Sequence, residues 1–199
     1  GNTASDDGGA LIVLSGGTTS LTHSTLSANN AVDRDGLRLL SGGSADLQST
    51  IVAANPSGGD CSGSITSLGT NLDSDGTCAL AAAGDLSTVS ASLGGLEDNG
   101  GPTLTHALLS SSPAIDAASP PTAPATDQRG LPRVPAAPDI GAFERNLIDL
   151  IVTVEWAPLD PELLAAAFLH VAVRNQGPDA AGDDDLTLIL PAGLLVESL

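Results

Sequence analysis

The chain has 199 residues and a net charge of −18, from 24 acidic side chains against six basic ones. Nucleic acids and anionic membranes bind through clustered cations, so this balance excludes a nucleic-acid binder and a membrane-surface protein. The longest apolar run, residues 163–173, contains His170 and falls short of the roughly 20 residues a helical bilayer span needs, so no direct membrane insertion is expected.

The first third repeats itself. "HSTLSANN" (23–30) and "QSTIVAAN" (48–55) match at an offset of 25, which aligns Thr25 with Thr50, Leu26 with Ile51 and Asn30 with Asn55. Upstream, "DDGGALIVLSGG" (6–17) resembles "DRDGLRLLSGG" (33–43) at an offset of 26 or 27. A degenerate third copy follows in "SITSLGTNLDSDG". A period of this size indicates stacked units. Each unit holds short β runs such as "ALIVL" and "TSLTHSTLS", broken by Gly, Asn and Asp. The Leu/Asn spacing of leucine-rich repeats is absent. One coil of a parallel β-helix per unit fits, with Asn30 above Asn55; a β-sandwich of similar hairpins is the alternative. "GNTA" at the start matches "ANNA" (28–31), so the chain is expected to begin within a coil. The absence of Met fits a processed or cleaved piece.

Cys61 and Cys78 enclose a turn-rich loop. A metal site would want more ligands, and no His lies nearby, so a disulfide is favoured. It would contribute about 3 kcal/mol and implies an oxidising compartment. Within the loop, Asn71, Asp73 and Asp75 alternate before Gly76 like half of a calcium loop. Ala82 stands where the twelfth-position Glu belongs, so no metal residue is assigned. Structural calcium stays a minor expectation, there and at Asp183, Asp184 and Asp185.

Residues 98–146 are Pro-rich and aperiodic, with the apolar anchors Leu104, Leu108, Leu109, Ile115, Ile140 and Phe143. A solenoid end exposes core and strand edges, and such a segment can lie across it as a cap. His106, Asp116, Asp127, Arg129, Asp139 and Glu144 are its chemical residues. As catalysts they need a pocket and split acid–base roles; as cap residues they need only satisfy one another. Arg129 is expected to be a structural tie within the cap, paired with one or more of Asp116, Asp127, Asp139 and Glu144. "DNGGPTLTHALL", "SPAIDAA", "TDQRGLPR" and "DIGAFE", in this order, resemble the choice-of-anchor Q domain of bacterial surface proteins. The likeness covers roughly residues 1–145. It implies the last coils of a right-handed parallel β-helix with its cap, on a secreted or surface-anchored protein, and no known catalytic activity.

"DLIVTVEW" (149–156) alternates and predicts a strand, and "DLTLILPAG" (185–193) predicts another. Between them, Asp160 and Pro161 suit a helix start over 161–167, whereas "FLHVAVRNQG" alternates as a strand. "DLIVTV", "LHVAVRNQGPDAAGDD" and "LPAGL" resemble the start of the Ig-like conserved repeat domain of bacterial surface proteins.

The reading is therefore mainly β. Residues 1–97 are expected to form parallel β-helix coils with the disulfide loop, 98–146 an irregular cap, and 147–199 an incomplete Ig-like β-sandwich segment. Sugar grooves favour aromatic rings and cations, yet the three aromatics, Phe143, Trp156 and Phe168, lie outside the repeats, whose only bases are Arg34 and Arg38. No phosphate loop, nucleophile elbow or zinc motif appears. No catalytic residue and no cofactor is expected. The favoured function is a structural or adhesive extracellular protein, its partners other copies of itself or a neighbouring surface protein, completed by strand addition into a fibre. A glycan-binding or carbohydrate-active surface protein is the alternative.

Overall fold

A computed structural model of the chain describes residues 1–5, 8–31, 36–56, 58–145, 150–157 and 168–175. The chain is mainly β and divides into two compact units, Gly1–Asn146 and Leu147–Leu199.

The first unit begins with short strands: β1 (Leu11–Val13), β2 (Thr18–Thr22), β3 (Thr25–Ser27), β4 (Leu37–Leu39), β5 (Ser44–Gln48), β6 (Ile51–Ala53), β7 (Cys61–Ser62), β8 (Ser64–Ser67), β9 (Leu72–Asp73) and β10 (Leu86–Ser87). They pair in parallel into three sheets, ordered β1-β4-β7, β2-β5-β8 and β3-β6-β9-β10. The chain thus visits the three sheets in rotation, and each circuit lies on the one before. Turns are sharp at the corners. Gly16 (φ +75°) and Gly42 (φ +79°) turn the chain between the first two sheets, where only glycine adopts such angles without strain. His23, Ser49 and Thr70 take φ of 44°, 48° and 52° at the next corner. These ordinary residues carry backbone strain that the surrounding contacts must hold.

Two vertical ladders of side chains help hold it. Asn2 Nδ2 donates to Asn29 Oδ1, Asn29 Nδ2 to Asn55 Oδ1, and Asn55 Nδ2 to Asp60 Oδ1, at 3.2, 3.1 and 2.7 Å. At the other corner the backbone N–H of Ser24 donates to Thr50 Oγ1, that of Thr50 to Asn71 Oδ1, and that of Asn71 to Asp85 Oδ1. The register corrects the sequence alignment. Thr25 pairs with Ile51 and Leu26 with Val52, an offset of 26 and not 25. Asn29, not Asn30, therefore stacks on Asn55. An asparagine one place earlier continues the ladder, and the doubled Asn29–Asn30 hid the choice. Along the second ladder the separation falls from 26 to 21 and then 14 residues, which is why the later repeats are hard to see.

The core has two compartments. Val13, Leu37, Leu39, Ala45, Leu47 and Val52 fill the space between the sheets, together with Cys61 and Cys78. The disulfide joining Cys61 to Cys78 (Cα–Cα 4.7 Å), with Leu80 packed against the cluster, closes the far end of this space. The second compartment lies on the other face of the third sheet. All three residues of β6 are buried: Val52 points into the inner cluster, Ile51 and Ala53 into the outer one. Their partners there are Leu108, Ala114, Ala118, Ile140 and Phe143. The segment expected to plug the open end thus packs across the outer face of a sheet, because apolar residues on both faces of β6 demand two layers of cover. The N–H of Gly141 donates to Ser49 O and that of Ala142 to Thr25 Oγ1. The covering segment also contains regular structure. β11 (Leu93–Glu97) and β12 (Thr105–Leu108) form an antiparallel hairpin that straddles the expected boundary at residue 97.

In the second unit, β13 (Leu150–Ala157) and β14 (Phe168–Asn175) pair antiparallel over their full length. Val152 and Val173 are register partners and are about half exposed. The helix considered at 161–167, the strand at 185–193 and the acidic run Asp183–Asp185 lie outside the described residues. Among the described residues, no helix is long and apolar enough to cross a membrane.

Candidate functional site

The signature strings of the covering segment converge on two arginines. Arg129 Nε donates to Asp127 Oδ2 at 2.8 Å, and its backbone N–H donates to Oδ1 of the same carboxylate. Its guanidinium also donates to the backbone oxygens of Glu144 and Asn99 and stacks 3.7 Å above the Phe143 ring. Gly101 abuts it so closely that an added Cβ would lie 2.6 Å from the Arg129 Cα. Arg133 is the second hub. Its Nη1 donates to Glu144 Oε2 at 2.8 Å, and its Nη atoms also donate to the carbonyls of Asp139 and Gly141. Glu144 is wholly buried and accepts the N–H groups of Val134 and Asp139 besides.

Of the four candidate carboxylates, Arg129 pairs with one. Arg129 meets the carboxylate of Asp127 alone; it touches Glu144 only at the backbone. Asp116 and Asp139 are no partners of its side chain: the Asp139 carboxylate accepts the N–H groups of Asp116 and Arg145. Arg133, which the sequence reading passed over, holds Glu144 instead. It lies four residues after Arg129, and a second buried base against an excess of carboxylates was the available signal. His106 does not join this group. Its Nδ1 bonds Gly94 O at 2.8 Å within the hairpin.

Burial and hydrogen bonding push these groups apart. Burial disfavours ionised Asp127, but N–H donors from Glu144 and Arg129 and the Arg129 charge outweigh it and hold its pKa below the usual range. Burial pushes Asp139 up to about 7, against the pull of its two N–H donors and with the Glu144 and Asp116 carboxylates adding to the rise. His23, at the strained corner beneath the segment, goes the other way. Burial and the Arg133 charge lower it to about 4, against a raising contribution from the Asp139 backbone. His23 also escaped the sequence reading, because it stands in a polar run that looks solvent-facing.

An acidic cluster sits near the disulfide. Ligand atoms of Asp60, Asp73 and Asp75 lie within 4.8 Å of one another. Asn71, expected beside them, turns its amide to Leu47 O and Ser67, and Asp60 stands in its place. All six carboxylate oxygens accept internal donors, from Asn55, Ser74, Asp75, Gly76, Ser87, Thr77 and Asp60 itself. Burial pushes Asp73 above the usual carboxylate range. The donor set is that of an internally satisfied turn.

A cleft of about 440 Å³ opens beside β3, with Thr25, Ser27, Asn29, His106 and Gln128 among its walls. Among the described residues, no carboxylate lines it. No family model matches the chain, and neither does any curated protein or solved structure.

Proposed function

We propose that residues 1–145 are the closing coils of a right-handed parallel β-helix and its covering cap, of the choice-of-anchor Q kind, and that 147–199 begin an Ig-like domain. On this reading the protein is a non-enzymatic, extracellular structural or adhesive surface protein. Its partners are further copies of itself or a neighbouring surface protein. One observation carries the reading: Asp127, Arg129, Arg133, Asp139 and Glu144 are consumed by one another and by backbone groups. Residues so engaged hold a segment in place and are not free to act on a substrate. The disulfide supports an oxidising location. Light scattering and negative-stain microscopy over a concentration series test the assembly. Elongated particles that grow with concentration are expected; a monodisperse monomer throughout would overturn it.

The cleft beside β3 favours one second reading, glycan binding, because its size and hydroxyl, amide and imidazole walls suit a neutral sugar. Saturable binding on a glycan array, lost in Gln128→Ala, would favour it over the first.

A further inference from the structure

The loop between β11 and β12 contains Asn99 followed by Gly100. In an Asn-Gly pair the backbone nitrogen of the glycine can attack the side-chain carbonyl carbon of the asparagine, since no Cβ crowds the approach. Here Gly100 is exposed at φ +88°, and a Cβ built on it would meet nothing within 4 Å. Two neighbours are placed for that reaction. Asp98 Oδ1 accepts the Gly100 N–H at 3.0 Å, and this is the proton that must leave the attacking nitrogen. The hydroxyl of buried Thr105 lies 3.2 Å from Asn99 Nδ2, the atom that must depart. The Thr105 carbonyl holds the same nitrogen at 2.9 Å.

We propose that Asn99 is a self-modifying site, converted in the folded chain through a succinimide to aspartate and isoaspartate, with Asp98 as the proton acceptor and Thr105 orienting the leaving amine. The Gly100 nitrogen bonds to Asn99 Cγ while its proton passes to the Asp98 carboxylate. The bond from Cγ to Nδ2 then breaks, and the amine takes up a proton through the Thr105 hydroxyl and leaves as ammonia. Asp98 returns its proton to solvent or to the hydroxyl. Water opens the ring at either carbonyl, leaving aspartate or isoaspartate. Nothing is oxidised or reduced, and water is the only co-reactant.

The consequence reaches Arg129. Its Nη1 donates to the Asn99 carbonyl at 3.4 Å, and its backbone packs against Gly101. In an isoaspartyl link the main chain runs through Cβ and Cγ, one methylene longer, and the α-carbonyl that accepts Arg129 Nη1 becomes a free carboxylate. The tie between hairpin and arginine therefore changes with the age of the molecule.

The test incubates the full chain at neutral pH, folded and in denaturant, and maps residue 99 by fragmentation that separates asparagine, aspartate and isoaspartate. Asp98→Asn, at an exposed position, runs in parallel. Conversion severalfold faster in the folded chain than in denaturant is expected, with Asp98→Asn slowed to the denatured rate. Folded conversion no faster than in denaturant, meaning that the Thr105 contacts protect the amide, overturns the proposal. So does a rate unchanged by Asp98→Asn.

Discussion

Arg133 Nη1 and Glu144 Oε2 lie 2.8 Å apart with both side chains almost wholly buried. Neither charge has water to return to if its partner is lost. Arg133→Met is expected to destabilise the first unit by about 3–5 kcal/mol, because it strands a buried carboxylate. Adding Glu144→Gln should recover part of that loss, since a neutral amide tolerates burial better. Urea unfolding of the single and double variants checks both. A single variant as stable as the parent would refute the clasp.

His23 and Asp139 set opposite pH dependences. His23, lowered to about 4, contributes stability that is present above its unfolded pKa of about 6.5 and is lost as pH falls through 4. Asp139, raised to about 7, contributes stability that is present below about 3.8 and is lost as pH rises through 7. Each is worth on the order of 3 kcal/mol at its extreme. Between pH 4 and 6.5 the two slopes nearly cancel. His23→Asn should therefore gain stability, relative to the parent, as pH falls across that window, and Asp139→Asn should lose it. Melting temperatures measured across the window read the slopes, whatever fixed offset each substitution adds. Parallel curves for all three proteins would sink the idea.

Asn55 Nδ2 donates to Asp60 Oδ1 at 2.7 Å in a buried setting. Asn55→Asp replaces that donor with a second carboxylate. The two charges raise each other's pKa, so the variant's stability is present at low pH and lost as pH rises. A deficit of about 2–4 kcal/mol at pH 7, shrinking towards pH 4, is expected from urea titrations. A deficit independent of pH would count against the ladder.

Cys61 and Cys78 are separated by 17 residues, and closing such a loop is worth about 3 kcal/mol. Free-thiol titration of the denatured chain should find none. Reduction should lower the melting temperature, and Cys61→Ser with Cys78→Ser should match the reduced protein. Two reactive thiols in the unreduced chain would refute the pairing.

How much of this was legible in the sequence depended on whether one residue or a pair of layers set the outcome. The disulfide needed only two cysteines in turn-rich sequence. The alternation in "DLIVTVEW" marked β13, since side chains change face at every residue of a strand. The stacking period was visible, but its register was not, because Asn29 and Asn30 offer two alignments one residue apart and only the neighbouring circuit selects between them. The position of the covering segment was hidden for a different reason. The run Ile51–Val52–Ala53 is apolar throughout and carries no alternation to say that each face has its own cover. His23 was invisible because its setting is made by residues over 100 positions away, the Arg133 charge among them, whereas Arg133 finds its partner Glu144 only 11 residues on.

Both ladders finish on a carboxylate, Asp60 in one and Asp85 in the other. An amide receives a hydrogen bond and passes another on, whereas an ionised carboxylate only receives. Each column of rungs thus has a direction and a last member. Its side chain has no proton to hand on, and its second oxygen is taken from within the same unit: Ser74 donates to Asp60 Oδ2, and Ser67 and Ala82 donate to Asp85 Oδ2. Both columns therefore close inside the first unit, and a group placed beyond either carboxylate would have to displace a donor already bound there.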